Sequence, residues 1–590
     1  MKRWFKYIKP YLPAFILGPL CMIVEVIGEV VMPKLLALII DYGAGDKEAP
    51  AFIQKLYDLF GTDSGFIVAI MTGMILTALL MMIGGVGGAW FGAKASVNFS
   101  SDLRRDVYKK VQKFSFSNID KFQTSSLVTR LTNDITQVQN FINVLLRMAL
   151  RAPGMLIGAL IMAILLNPSL TVVLGVTIPL MLIFITFLIS KGFPRFSKMQ
   201  EKIDALNSTV QENITNVRVV KSFVREDFEK EKFFKANRNL RKAGFSAMSI
   251  MIFISPLVTF FMNATTIAVY WFGGNMVVSG TMSPGDLTAF ITYITQILMS
   301  LMMVTMLFIM LSRALASTKR IAEVLDEKID ISDENASHKG LTVQNGQIEF
   351  KDVSFRYYKS SEEKVLDHVN FTIPAHATVG IIGSTGCGKS TLVSMIPRLY
   401  DVDEGEVLID GINVKDYSLF HLRESVGMVL QKNILFSGTI EENLRWGDEN
   451  ATDEQVRAAA ESAQADKFVS SFPKGYQTDL DQGGTNVSGG QKQRLCIART
   501  LLKKPKIIIL DDSTSAVDTA TEAQIRNTFK TRLADTTKII IAQRINSVMD
   551  ADMIIVMDNG KITGIGTHEQ LLKENTEYQE IYYSQMDKEA

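Results

Sequence analysis

Cysteine is almost absent. Three residues in 590, Cys21, Cys387 and Cys496, are too few and too scattered for a disulfide framework or a cysteine-ligated metal site. An excess of one charge is also missing. The 62 Lys and Arg are matched by 61 Asp and Glu, and a net charge of +1 gives no electrostatic ground for nucleic acid as a partner. No cleavable leader is expected: "MKRWFKYIKPYLPAF" is basic and aromatic, and no small-residue cleavage site follows at the right distance.

What the chain has is apolar sequence, 47% of its residues, unevenly spread. The long apolar runs lie before about Leu311, and the rest reads as an ordinary water-soluble α/β domain. A membrane span needs roughly 20 apolar residues. Six segments qualify: Phe15–Ile40, Phe66–Phe91, Phe141–Leu166, Leu170–Ile189, Met248–Val278 and Leu287–Leu311. The connections alternate in character. Ala44–Ser64, Asn167–Ser169 and Ser279–Asp286 are short and carry only Lys47 and Lys55 as basic residues. Ser96–Gln139 and Lys191–Ala247 are long, basic and helically patterned. The positive-inside bias places both long connections and the amino terminus in the cytoplasm, with helices extending well beyond the bilayer.

Ionisable residues inside these spans are costly and face each other or a cavity. Glu25 and Glu29 are one helical turn apart, as are Arg147 and Arg151. A structural ion pair, or arginines snorkelling at the inner boundary, is the first expectation, and a water-filled, substrate-facing cavity lined by Glu25 or Glu29 is the second. Met299, Met302, Met303, Met306 and Met310 recur at helical spacing along the sixth span. Packing is the first expectation for them, and an adaptable apolar binding wall the second.

The second half carries a phosphate-binding loop. In "HATVGIIGSTGCGKSTLVSMI", Gly383, Gly388, Lys389 and Ser390 have G-x-x-x-x-G-K-S spacing, after a short apolar strand and before a helix-forming run. The glycines let backbone N–H groups approach phosphates, Lys389 neutralises the β/γ-phosphates, and Ser390 is suited to Mg²⁺. The run "IIILDDSTSAVD", Ile507 to Asp518, reads as a buried strand delivering two acids to its carboxyl end. Asp511 is expected to hold Mg²⁺, and position 512 to face the attacking water. A third element, "NVSGGQKQRLCIARTLL", puts Ser488, Gly489, Gly490 and Gln491 before a helical run.

This order resembles the ATP-binding cassette family, whose signature is L-S-G-G-Q. The resemblance covers almost the whole chain and is most specific from Ile348 to Leu571. It implies a membrane α-helical domain of six transmembrane helices, exporter type, followed by an α/β P-loop ATP-binding cassette domain. The expected boundaries are 1–320, a linker at 321–345, and 346–590. Tyr357 in "VSFRYY" looks like the adenine-stacking residue, and Gln431 like the Q-loop glutamine that contacts Mg²⁺. "STSAVD" looks like the D-loop, ending at Asp518, and "GTHEQLL" like the usual carboxyl-terminal segment. "DKFQTSSLVTRLTNDI" and "NVRVVKSFVREDFEKEKF" resemble the two coupling regions. ATP and Mg²⁺ are the implied cofactors, held by Gly383, Ser384, Thr385, Gly386, Cys387, Gly388, Lys389, Ser390 and Thr391 with Tyr357 and Gln431. Metal contacts fall to Ser390, Gln431 and Asp511. In such families two cassettes pair head to tail, so Ser488–Gln491 would serve the site of a second chain.

Two departures bear on catalysis. The usual glutamate after the Walker-B aspartate is Asp512 here, one methylene shorter. The usual switch histidine is Gln543, in "IIIAQRINS", and Gln can donate a hydrogen bond but carries no proton or charge. None of the five histidines, His338, His368, His376, His421 and His568, is near enough in sequence to take that role. A milder departure is "DQGGTN", with Gln482 where glutamate is common. Together these imply a site that binds ATP and hydrolyses it poorly, in a half-transporter paired with a homologous chain of competent Walker B. The expected function is ATP-driven export of small hydrophobic, drug-type compounds across a bacterial cytoplasmic membrane. A lipid or peptide exporter, a nucleotide-gated channel, and a homodimer with a slow Asp512 base are the alternatives.

Overall fold

A computed structural model describes residues 2–42, 63–334, 336–359, 362–513 and 517–586. The connection carrying Lys47 and Lys55, and Thr514–Ala516 of the expected D-loop, lie outside the described residues. The chain divides into two compact units. One comprises residues 1–110 and 127–326, the other 111–126 and 327–590.

The first unit is a bundle of six helices long and apolar enough to cross a membrane, within Arg3–Tyr42, Ser64–Gln112, Thr124–Leu166, Pro168–Thr215, Glu226–Val278 and Pro284–Val304. All six expected spans fall on helices, the sixth within Pro284–Asp326. The fourth runs 48 residues unbroken, about 72 Å at 1.5 Å per residue, against roughly 30 Å of hydrocarbon. It therefore extends well past its apolar stretch, as the periodicity predicts. Asn167 starts it by accepting the Leu170 N–H at 3.0 Å, with Pro168 at the first helical position, where no intrahelical donor is lost. The third span is less regular than expected. A turn at Ala149–Leu150 separates Ile135–Met148 from Arg151–Leu166. Pro153 stands in the first turn of the second segment, where its missing N–H is tolerated.

Glycine sets how closely the first two spans approach. A Cβ at Gly84 would stand 2.7 Å from the Cys21 carbonyl oxygen, and one at Gly88 would collide with the Met22 side chain. In hydrocarbon, where lipid competes equally for apolar surface, such close backbone contact is a main source of helix–helix attraction. The first and sixth helices are joined by polar bonds. Buried Asp41 accepts the Ser283 hydroxyl at 2.6 Å and the Gly285 N–H at 2.8 Å, capping the sixth helix. Tyr293 donates to the Val30 carbonyl at 2.7 Å, and Gln296 to the Glu29 carbonyl at 2.9 Å.

Three of the five methionines in the stripe do not pack inside this unit, and Met303 and Met310 are half-buried. Tyr293, Ile294, Ile297, Leu298 and Leu301 form the buried face of the sixth helix, while Met299, Met302 and Met306 lie exposed on another. Helical spacing fixed a common face but not which face turns inward, because the opposite face is equally apolar.

The second unit is built on a six-stranded sheet, in the order Lys561–Gly566, Met553–Asp558, Thr378–Gly383, Thr537–Ile541, Ile507–Asp511, Val426–Val429. Only the first of these pairs antiparallel. The inner strands read as continuous β-branched runs because both faces of the sheet are buried, leaving no polar side. A four-stranded antiparallel sheet contains Ile348–Phe355 and Leu366–Ile373. The short helix Phe116–Phe122, whose last three residues open the first expected coupling region, belongs to this unit. Its Asp120 accepts the Tyr400 hydroxyl at 3.0 Å, and Lys121 pairs with Glu327 at 2.8 Å.

Candidate nucleotide-binding site

The parallel strands Thr378–Gly383, Thr537–Ile541 and Ile507–Asp511 are neighbours, so their carboxyl ends open at one edge. Ligand sites of open α/β sheets form at that edge. The first strand delivers the loop Gly383–Gly388, and the helix Lys389–Ser394 follows. Two glycines are required by the backbone: Gly386 has φ +88° and Gly388 φ +100°, in the left-handed region. A Cβ at Gly388 would also stand 2.8 Å from the Val365 carbonyl oxygen. Ser384, Thr385 and Gly386 are exposed along the loop, while Cys387 and Thr391 are buried behind it. Lys389 Nζ donates to the carbonyls of Gly383 at 2.8 Å and Ser384 at 2.7 Å. The ammonium therefore lies within its own loop.

Ser390 donates to Asp511 Oδ1 at 3.0 Å. Asp511 ends its strand and is buried, and burial pushes its carboxyl group above the usual range, opposed by the Ser390 hydrogen bond. A hydroxyl and a carboxylate in contact beside a phosphate-binding loop form an all-oxygen donor set suited to Mg²⁺. The residues therefore fit both implied groups: the loop and Lys389 would hold phosphate oxygens, and Ser390 with Asp511 would hold the metal.

Asp512 turns out of the strand with φ +47°, and its N–H bonds to the Ile541 carbonyl at 3.0 Å. Gln543 Nε2 donates to Asp512 Oδ2 at 2.9 Å, and the Gln431 amide lies close enough to favour the charged form of Asp512. Burial raises the Asp512 carboxyl group as well, against these two amide donors. The two residues that depart from the family pattern thus meet each other. Gln431, expected at the metal, lies beside Asp512 as well.

Tyr357 stands over the loop's helix, its hydroxyl 2.9 Å from Thr391 Oγ1, with its ring edge-on to Phe355 and Tyr400 at 5.0 and 5.3 Å. It is half-exposed and free to present a face to a flat base. Ser488–Gln491 lie elsewhere. Ser488 and Gln491 form a capping box on the helix Gly489–Leu502, with bonds of 2.9 and 3.3 Å. Among the described residues, none of the four bonds to residues 383–391. Asp518 caps the helix Thr519–Arg532 through the Thr521 N–H at 2.9 Å.

Two supports escaped sequence reasoning. Asp558 accepts the Ser384 hydroxyl at 3.2 Å. Gln585, in the last helix, donates to the Gln543 carbonyl at 2.8 Å and accepts the Ile545 N–H at 2.9 Å. No local pattern marks either, since both act across long sequence separations.

Two family models match the chain: "ABC transporter transmembrane region" over residues 15–301 and "ABC transporter" over residues 366–515. Among curated relatives, the Uncharacterized ABC transporter ATP-binding protein YfiB of Bacillus subtilis is 38% identical, over 100% of this chain and 99% of that protein. The Uncharacterized ABC transporter ATP-binding protein Rv1273c of Mycobacterium tuberculosis is 36% identical, over 98% and 97%. Among solved structures, a bacterial Atm1-family ABC exporter with ATP bound aligns with TM-score 0.74 and 25% identity, covering 96% of this chain and 98% of that one.

Proposed function

Because the chain belongs to the ABC transporter family, with membrane region and ATP-binding domain in one polypeptide, we propose that it is the degenerate-site half of a heterodimeric exporter. It binds MgATP at the loop Gly383–Thr391 and hydrolyses it slowly. Its signature, Ser488–Gln491, completes the hydrolytic site of a homologous chain that carries glutamate and histidine at the positions of Asp512 and Gln543. The amino terminus and the nucleotide-binding unit face the cytoplasm, and the cargo is a small hydrophobic compound. The exposed Met299, Met302 and Met306 support that last assignment, since flexible thioethers suit a poorly selective apolar wall.

The observation that carries the reading is the 2.9 Å bond from Gln543 to Asp512. A base must come within about 2.6–3.2 Å of its water, and withdrawing it by roughly 1 Å costs about a hundredfold. Asp512 is one methylene short, and one of its oxygens is engaged by an amide that carries no transferable proton. When ATP is bound, Lys389 and the loop N–H groups would hold its phosphates while Ser390 and Asp511 orient the metal. Asp512 would hold the water too far from the line of attack. ATP supplies the phosphoryl group whose loss resets the transporter.

The test is phosphate release and nucleotide affinity for the purified chain and for Asp512→Glu with Gln543→His. We expect affinity within about threefold and turnover rising by tenfold or more, part of the roughly hundredfold geometric penalty. Robust turnover by the unmodified chain alone would replace this reading with a homodimer.

A further inference from the structure

The polar cluster in the membrane unit is unevenly satisfied. Arg151, on the third span, offers a single nitrogen to two acids of the first: Nη2 lies 2.6 Å from Glu29 Oε1 and 3.1 Å from Glu25 Oε1. This is not the two-pronged pairing that makes guanidinium–carboxylate contacts strong. Gln296, from the sixth span, joins through its Nε2, which donates to the Glu29 carbonyl and so fixes the orientation of its amide. Four buried atoms are left without partners among the described residues: the acceptors Glu25 Oε2, Glu29 Oε2 and Gln296 Oε1, and one donor, Arg151 Nε. Arg147 adds charge near Glu25 but fills none of these bonds. Its stem lies along Gly92, its side chain is exposed, and its guanidinium makes no hydrogen bond among the described residues.

Among these atoms acceptors outnumber donors by three to one, and each is buried, where an unsatisfied polar atom is costly. A lone structural ion pair would not need that surplus. Glycine lets the second span pass close to the acids: a Cβ at Gly85 would stand 3.3 Å from Glu25 Oε2. What the cluster lacks is a positive group with several N–H donors, and a protonated amine has three. We propose that Glu25, Glu29 and Gln296 form a recognition site for the ammonium group of an amphiphilic amine, with Arg151 as the internal cation that it displaces or joins. This deepens the export reading, on which it rests, by naming the cargo class as hydrophobic amines.

The test needs no partner chain and no ATP. The full chain in lipid nanodiscs is titrated with dansylcadaverine, a fluorescent primary amine, and with its N-acetylated and N-trimethylated analogues, empty nanodiscs being subtracted. The amine should bind at least about tenfold more tightly than either analogue, the loss expected for one charge-assisted hydrogen bond. In Glu25→Gln with Glu29→Gln the preference should fall to within about twofold, the carboxylates' share of those bonds being gone. If the double variant is not monodisperse, Glu25→Gln alone should reduce the preference at least threefold, about 0.7 kcal/mol. Equal binding of the acetylated or trimethylated probe, or a preference that survives these substitutions, overturns the site. MgATP binding is measured on the same preparations. Its loss with the amine preference intact would overturn the ATP-driven reading and leave the amine site standing, and the converse would separate them the other way.

Discussion

Asp511 is a charge held where charge is unfavourable. It is buried at the end of a strand, and burial raises its carboxyl group above the usual range. The folded state therefore holds this proton more tightly than the unfolded chain does. Stability contributed this way is present below the unfolded value, about 3.9, and is lost as pH rises through the raised folded value. Asp511→Asn removes the penalty. In the absence of nucleotide, the variant should melt above the unmodified chain at pH 8, and the gap should close as pH falls toward the ordinary carboxylate range. Scanning fluorimetry across pH checks this, and identical melting at every pH would contradict it. The same variant should lose the Mg²⁺ dependence of nucleotide binding. Stability and function thus pull in opposite directions at one side chain, as is common where a site is organised around a ligand's charge.

At the scale of elements, the signature helix has two duties that one substitution can separate. Ser488 caps it, and loss of such a cap costs about 1 kcal/mol. Ser488→Ala should therefore lower the melting temperature modestly, while ATP affinity at this chain's own loop stays unchanged. Turnover of the assembled transporter should fall far more than that small loss of stability explains. The comparison is made between isothermal titration of the chain alone and phosphate release by the pair. In the membrane unit, Gly84 is the element-level constraint. A side chain there meets the backbone carbonyl of Cys21 and cannot be relieved by a rotamer change. Gly84→Leu should cost roughly 1–3 kcal/mol, the usual price of overpacking, read as a lower melting temperature in detergent. Gly73→Leu, where nothing lies within 4 Å, is the control and should leave it unchanged.

At the scale of the molecule, the chain is an ABC exporter-type transporter: a six-helix membrane region and an ATP-binding domain, each compact in itself. The exporter type was legible only as a resemblance, but the six spans and the nucleotide-binding half were legible for physical reasons. Hydrocarbon thickness forces long apolar runs, a parallel sheet covered on both faces forces runs such as "IIIL", and phosphate approach forces Gly386 and Gly388 into their conformations. Other features depend on groups far apart in the chain, and no local rule places them. The exposed methionine face and the Gln543–Asp512 bond belong to that class, whereas the ion pair of Arg151 with Glu25 and Glu29 was the first expectation for those residues. Glu25 with Glu29 was readable as a same-face pair, but only the fold supplies the single guanidinium nitrogen that they share. A prediction belongs at this scale. Mixed with a homologous chain bearing glutamate after its Walker-B aspartate, the protein should co-purify in equal amounts, with turnover abolished by changing the partner's glutamate and little affected by changing Asp512. Size-exclusion chromatography with quantified phosphate release decides it.

The Gln585 contacts have a practical side. This residue clasps the backbone on either side of Arg544, so the switch segment is moored to the final helix, Thr576–Met586. A purification tag or fluorescent protein fused a few residues later would tug on that mooring at the heart of the nucleotide site. An affinity handle at the opposite end of the polypeptide leaves it undisturbed. Rates measured with the two placements should differ, and Gln585→Ala should mimic the slack line.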